Sequence, residues 1–420
     1  MSRIRITFLL ALLLGTPLFA QQLTLQEALQ SAQATNSIAQ NAKITLEKQL
    51  NKANINSYLP SIDLSVGASA SISLLDQESN ALITPTASVS FSLSSSDRYT
   101  KASNTLLAKT AQTAFGTSIQ NLKAQVTQTY WNVTAAELAY DQQLLDYEQK
   151  SISNAAIQAQ FDNGKANTLA VSQAKLALFQ AKLTVESRNN DFETAKQALQ
   201  RLIGYEIEGT SDELMEVRDL KNLEFLQELS LSTTSIKQLS YQVEQAELAL
   251  KKVRASSASP VVAMNASTSF SGSLSTSSSQ IRDTTKVSVS VSFSLDPYLP
   301  NSSAQVTLEN LQKDITLAKN TLEQGIKDIQ QEVQTLYQSL LQIKANLEYL
   351  LEYQKVADET YNLTLASYEA GEVPYLTLQE SEQQQQNVQL SILQQKVDYT
   401  VALYNLAYLL ETDINTIINE

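Results

Sequence analysis

The sequence predicts a mainly α-helical, internally duplicated fold with a small β part, and three observations predict it. Landmarks in the first half of the chain reappear in the second at a nearly fixed distance. Each half carries two segments in which apolar residues alternate with serine. Each half then runs for about sixty residues in helical spacing without a proline, which a long helix requires because proline lacks the N–H and clashes with the preceding turn. Self-similarity of this kind marks a repeated unit and is the first thing to settle.

The duplication fixes the organisation. Leu23, Leu25 and Leu29 recur as Leu223, Phe225 and Leu229, and Tyr58-Leu59-Pro60 lies opposite Ala258-Ser259-Pro260, both at an offset of 200. Val89-Ser90-Phe91-Ser92-Leu93 recurs as Val291-Ser292-Phe293-Ser294-Leu295 at 202. Tyr130 with Tyr337, Phe161-Asp162-Asn163-Gly164 with Tyr368-Glu369-Ala370-Gly371, and Leu202 with Leu409 follow at 207. The offset changes only where turns fall, as loops tolerate insertion. A first repeat of 21–204, a connecting segment of 205–222, a second repeat of 223–411 and a tail of 412–420 follow.

The elements come in order. Residues 1–20, with Arg3 and Arg5, the apolar run Ile6 to Leu14, and Ala20 at the proposed cut, read as a secretory signal peptide. An amphipathic helix over 24–58 ends before Pro60. Two strands follow, 61–75 and 86–95, with Pro85 opening the second. In the first, Ile62, Leu64, Val66, Ala68, Ala70, Ile72 and Leu74 share one face against a serine-rich other; Ala87, Val89, Phe91 and Leu93 do so in the second. A long helix over 99–161 turns at Gly164 into a return helix over 168–203. The second repeat gives a helix over 223–255, strands 261–275 and 285–295, a long helix over 302–368, a turn at Gly371 and a return helix over 375–410.

Composition removes whole classes of function. The chain has no cysteine and no histidine, which excludes the common zinc sites, thiol nucleophiles and Ser-His-Asp triads, and no catalytic, metal or cofactor-binding residue stands out. Without its leader the chain has 28 basic against 43 acidic residues, a formal charge of −15. Nucleic-acid binding wants a basic footprint, so that partner is not expected. Beyond the leader no stretch approaches the roughly 18 apolar residues of a membrane-spanning helix.

The strands offer another way to meet a membrane. At about 10 to 14 residues they exceed the usual length and suit a tilted crossing. Their polar faces are small hydroxyls rather than Lys and Glu, and polar loops, Asp76 to Ile83 and Thr276 to Asp283, join them. A half-buried soluble sheet is the plainer reading. If the apolar face meets lipid, an open edge is not tolerated. Four strands cannot close, so copies must share a barrel: two give eight strands, filled by side chains, and three give twelve around an open lumen. Ser65, Ser69, Ser90, Ser269 and Ser290 would then face the lumen.

The long helices carry a four-three repeat. Leu322, Ile326, Ile329, Val333, Leu336, Leu340, Ile343, Leu347 and Leu350 form a seam matched 207 residues earlier by Phe115 through Gln143, a coiled-coil signal. A helix of sixty-odd residues reaches roughly 90 to 100 Å.

The order helix, strand, strand, long helix, glycine turn, helix, performed twice behind a leader, resembles the TolC family of outer-membrane efflux proteins. The matching pieces are Leu23-Thr24-Leu25-Gln26-Glu27-Ala28-Leu29, Tyr58-Leu59-Pro60, and the hairpin tips Phe161 to Leu169 and Tyr368 to Leu376. The resemblance implies a homotrimer whose twelve-stranded transmembrane barrel lies in the outer membrane lipid. A long α-helical coiled-coil barrel would continue it through the periplasm, belted by 205–222 and the tail. It implies a periplasmic adaptor protein and an inner-membrane transporter as partners, and an exit duct for a tripartite efflux pump or a type I secretion system. Phe161, Asn163, Gly164, Lys165, Gly371, Glu372 and Pro374 would meet the adaptor. Tyr368, Thr377 and Glu380 would form the constriction; the family's two acidic rings lie six and nine residues after the second glycine, so one is replaced by Thr377. The acid expected six residues after Gly164 is Ala170. Two rivals remain, a soluble coiled-coil scaffold that never inserts and a carboxylate-based cell-wall enzyme, although the acids here are scattered along helix faces.

Overall fold

A computed structural model describes residues 22–55, 61–72, 79–94, 96–164, 166–258, 260–275, 279–293 and 295–419. The proposed signal peptide, Tyr58-Leu59-Pro60 and Lys165 lie outside these residues. In chain order the elements are α1 (Leu25–Thr35), α2 (Ser37–Ala53), β1 (Ser61–Ile72), β2 (Ser79–Leu93), α3 (Asp97–Asp162), α4 (Thr168–Ile203), α5 (Leu223–Ser230), α6 (Thr234–Ala258), β3 (Val261–Ser275), β4 (Ser279–Ser292), α7 (Ser303–Glu369), α8 (Tyr375–Leu409) and α9 (Ile414–Ile417). The structure is therefore mainly helical with one small antiparallel sheet, and the element order from α1 to α4 recurs from α5 to α8.

Three expectations are corrected. The single helix expected before each strand pair is two helices. Asn36 takes extended backbone, its carboxamide oxygen accepts from the Ile38 N–H at 2.9 Å, and its amide nitrogen donates to the Leu202 carbonyl at 3.2 Å. It thus ends α1 and caps α2 through a distant tertiary contact. In the second repeat, residues 231–233 separate α5 from α6. The strands β2 and β4 begin at Ser79 and Ser279, not at 86 and 285, because polar residues assigned to loops pair in register with the neighbouring strand. Pro85 does not open β2 but sits inside it, opposite Val66. The pairing with β3 lapses at Thr84 and Pro85, between Ile83↔Gly272 and Thr86↔Ser269, where proline has no N–H to give.

By internal packing the chain divides into two compact units, Met1–Gln40, Ser118–Ser230 and Glu332–Glu420 in one, Asn41–Thr117 and Leu231–Gln331 in the other. The first holds two apolar cores that are copies of each other. In one, Val126 and Val133 of α3 pack with Leu199 and Ile203 of α4 and Ala28 of α1. In the other, Val333 and Leu340 of α7 pack with Leu406 of α8 and Leu226 of α5. The four-three seam read from sequence is what each long helix turns inward. The connecting segment is extended and pinned at both ends: Leu23 bridges Thr210, Leu220 bridges Ile418, and the Tyr130 hydroxyl donates to the Leu23 carbonyl at 2.7 Å beside Asp212.

The second unit holds the sheet, ordered β1-β2-β3-β4 and antiparallel throughout. Helices α6 and α7 approach closely there, since a Cβ at Gly325 would collide with Leu239 Cδ1.

Candidate functional site

The sheet has two chemically opposed faces because directly opposed residues of antiparallel strands share a face. One row reads Ile62–Val89–Ala266–Val287, and further rows join Phe91, Met264 and Val289, and Leu93, Val262 and Val291. The other face reads Ser61–Ser90–Asn265–Ser288 and Asp63–Ser88–Ser267–Lys286. On it the Ser61 and Ser90 hydroxyls are in contact. Among the described residues nothing covers the apolar face: Leu64 is 80 % exposed and Val289 66 %. Thr268, Thr285 and Asp283 interrupt it: the two threonine hydroxyls share one hydrogen bond at 3.1 Å, and exposed Asp283 stands opposite Phe270. Of the serines expected at the lumen, Ser65, Ser90, Ser269 and Ser290 stand on the polar face, Ser65 and Ser290 exposed and the other two half-buried. Ser69 shares that face by register, its side chain outside those described.

In the first unit the two helical hairpins end in glycine. Gly164 and Gly371 have φ of 74° and 79°, and no atom lies within 4 Å of an added Cβ at either. The left-handed backbone, not space, requires glycine there. At the second tip the Glu372 N–H donates to the Ser367 carbonyl and the Gly371 N–H to the Tyr368 carbonyl, both at 2.9 Å, a closure of the Schellman kind. Asn163 folds its amide onto the Ala159 carbonyl at 2.8 Å, and Asn167 caps α4 by accepting from the Ala170 N–H at 2.8 Å.

A cleft of about 810 Å³ lies between the tips, lined by Asn167, Leu169, Tyr368, Gly371, Pro374 and Tyr375 among others. Beneath it Ile157, Val171, Ala174, Tyr375 and Leu378 form an apolar cluster. Of the expected docking residues, Phe161, Asn163, Gly164, Gly371, Glu372 and Pro374 are all exposed. Tyr368 lies half-buried, its ring 5.7 Å from Tyr375, and burial followed by Tyr375 pushes its hydroxyl above the usual tyrosine range. Thr377 and Glu380 are exposed on α8, apart from the Tyr368 ring contact.

Sequence reasoning missed a polar layer above this cluster. Lys150 of α3 is buried and pairs with buried Glu382 of α8, with Asp146 at 3.9 Å. Gln386 donates to Asp146 at 2.5 Å and Gln142 to Gln389 at 2.7 Å. Toward α7, Gln385 donates to Asp358 at 2.7 Å and Gln384 to the Tyr353 hydroxyl. The signal was present: Tyr375, Leu378, Glu382, Gln385, Val388 and Ile392 keep the three-four spacing, so Glu382 and Gln385 occupy seam positions.

Among the described residues no group of three or more metal-ligating side chains is placed to hold an ion, and no helix is long and apolar enough to cross a membrane.

No protein-family model matches the chain, and no curated protein matches it. Solved structures do. CusC, studied for conformational changes accompanying folding and transmembrane channel formation, superposes with a TM-score of 0.77 at 15% identity, over 93% of this chain and 92% of its own. The CmeC outer membrane channel of Campylobacter jejuni gives 0.75 at 14%, over 92% and 85%. The open state of the MtrE outer membrane channel of Neisseria gonorrhoeae gives 0.72 at 15%, over 94% and 91%. The chain has the fold of these channel proteins along nearly its whole length.

Proposed function

We propose that this protein is an outer-membrane channel: three copies close a twelve-stranded barrel in lipid, and their helical hairpins continue the duct on the periplasmic side. One observation carries the reading: a four-stranded sheet whose apolar face nothing among the described residues covers. In water such a face is a liability, and in lipid it is the required surface, provided the edges close. The likeness to outer-membrane channels supports the same reading for the whole fold.

The mechanism is passive conduction through a hydrated tube, with no chemical step. Serine-sized residues on the polar face leave the lumen open and wet. The hairpin tips close the other end, with Tyr368, Thr377 and Glu380 at the constriction; three Glu380 carboxylates near one axis would focus a field that favours cations. The exposed tip residues and the cleft between the hairpins receive a periplasmic adaptor protein, which joins the channel to an inner-membrane transporter. The duct then serves as exit for a tripartite efflux pump or a type I secretion system.

The test is to purify the protein from membranes and add it to planar lipid bilayers. Discrete conductance steps, with a trimer that dissociates only on heating, are expected. A monomer that fractionates with soluble periplasmic contents and adds no conductance would return the chain to the scaffold reading.

A further inference from the structure

The proposed barrel leaves one interface undrawn, the seam at which the outer edge of β1 meets the outer edge of β4 of another copy. We propose that this seam is antiparallel and in a single register, with Ser61 opposite Ser292 and Ile72 opposite Ile281, displaced by four residues from the rows within one chain. The inference rests on the barrel reading and specifies its partner surface, a second copy of this chain.

Within the chain the rows run straight across, and Asp63 shares a row with Lys286 through Ser88 and Ser267. A seam that continued this row without displacement would place Asp63 against Lys286 of the next copy. That pairing of opposite charge is attractive, but zero displacement means zero shear and upright strands, and barrels close only with tilted, sheared ones. In a threefold ring the displacement repeats at each seam. It must also be even, because a shift by one residue would turn Ile62, Leu64 and Val66 to the polar side of their neighbour.

Tilt and length then choose among the even values. With a rise of about 3.4 Å and a strand spacing of about 4.8 Å, displacements of four, six and eight residues give tilts of about 35°, 47° and 55°. Barrel strands tilt by about 35 to 45°. A displacement toward the C-terminal end of β1 lengthens the pairing, and the opposite sense strips it. At four residues all of Ser61–Ile72 finds a partner inside Ser279–Ser292.

The exposed surface agrees. Ile62, Leu64 and Val66 are 77, 80 and 69 % exposed, and Val287, Val289 and Val291 are 64, 66 and 67 %. The inner strands bury theirs further, with Val89 at 42 % and Val262 at 41 %. The proposed register sets Ile62 against Val291, Leu64 against Val289 and Val66 against Val287. All six edge residues gain the flanking neighbour they lack.

The chain has no cysteine, so paired substitutions on the polar face read the seam directly. Asp63→Cys is combined in turn with Lys286→Cys, Ser288→Cys, Ser290→Cys or Ser292→Cys, reporting displacements of zero, two, four and six. Purified assemblies are treated with oxidant and, separately, with a short bifunctional thiosulfonate. Each copy carries both cysteines, so a correct pair closes a covalent ring of three. The Asp63→Cys/Ser290→Cys variant should form that ring at least tenfold faster than the other three. Faster ring closure by any other pair overturns the register, and so does an intact trimer that none of the pairs cross-links. A monomer by light scattering in every variant and in the parent removes the barrel reading itself, and the seam with it.

Discussion

Lys150→Met tests whether the polar layer between α3 and α8 holds the first unit together. The side chains of Lys150 and Glu382 are 9 and 11 % exposed, and the ammonium touches the carboxylate. Removing the lysine leaves Glu382 buried with no counter-charge, while Asp146, already bound by Gln386 and Gln143, gains nothing. Breaking one side of a buried pair costs about 3–5 kcal/mol, whereas replacing both sides with apolar residues is neutral or stabilising by about 1–4 kcal/mol. The double variant Lys150→Met/Glu382→Leu is therefore expected to recover at least the whole loss. Urea unfolding of the purified protein, followed by fluorescence, measures both, because Trp131 is the chain's one tryptophan and is 1 % exposed in the same unit. A single variant within about 1 kcal/mol of the parent, the value of a surface pair, would refute the reasoning. A double variant as unstable as the single would refute it equally.

Val289→Arg puts a charge on the lipid face at about 2–4 kcal/mol near the midplane, so unheated gels should show loss of trimer, while Ser290→Arg on the polar face should assemble; equal assembly would reverse the faces. Gly164→Ala and Gly371→Ala force a side chain into left-handed backbone at about 1–2 kcal/mol each, and a urea midpoint unchanged or raised would contradict the turn assignment. Glu380→Gln should weaken cation preference in bilayers without altering trimer stability, and unchanged selectivity would remove Glu380 from the pore. Burial, then Tyr408 and Asp212, push the Tyr404 hydroxyl up to about 12 from an ordinary value of about 10. The unfolded chain therefore loses its proton first. The stabilisation is whole below about pH 10 and drains as pH rises toward 12; the urea midpoint should fall over that window, and less steeply in Tyr404→Phe.

The parts of the fold that composition and spacing govern were legible, and the parts that partners govern were not. The observed α7 spans Ser303–Glu369, and its bounds could be read to within a residue or two because a proline-free seam stops at a glycine. The break at Asn36 could not, since asparagine tolerates a helix and only the Leu202 carbonyl, 166 residues away, draws its side chain off. Ser79, Asn80, Ser279 and Gln280 look like loop residues by composition, yet the hairpin register carries them into strands. At the site the same division decides which acid matters. Glu380 and Glu382 stand two residues apart on α8, about 200° around the helix, so one must face out where the other faces in. The glycine-based count selects Glu380, which is exposed. The three-four spacing from Tyr375 and Leu378 selects Glu382, which is buried against Lys150. A carboxylate at a seam position stays charged in the interior only if a cation arrives from another helix, and that cation lies 232 residues earlier in the chain. The spacing could therefore have marked Glu382 as needing a partner, but naming Lys150 required the packing of α3 on α8.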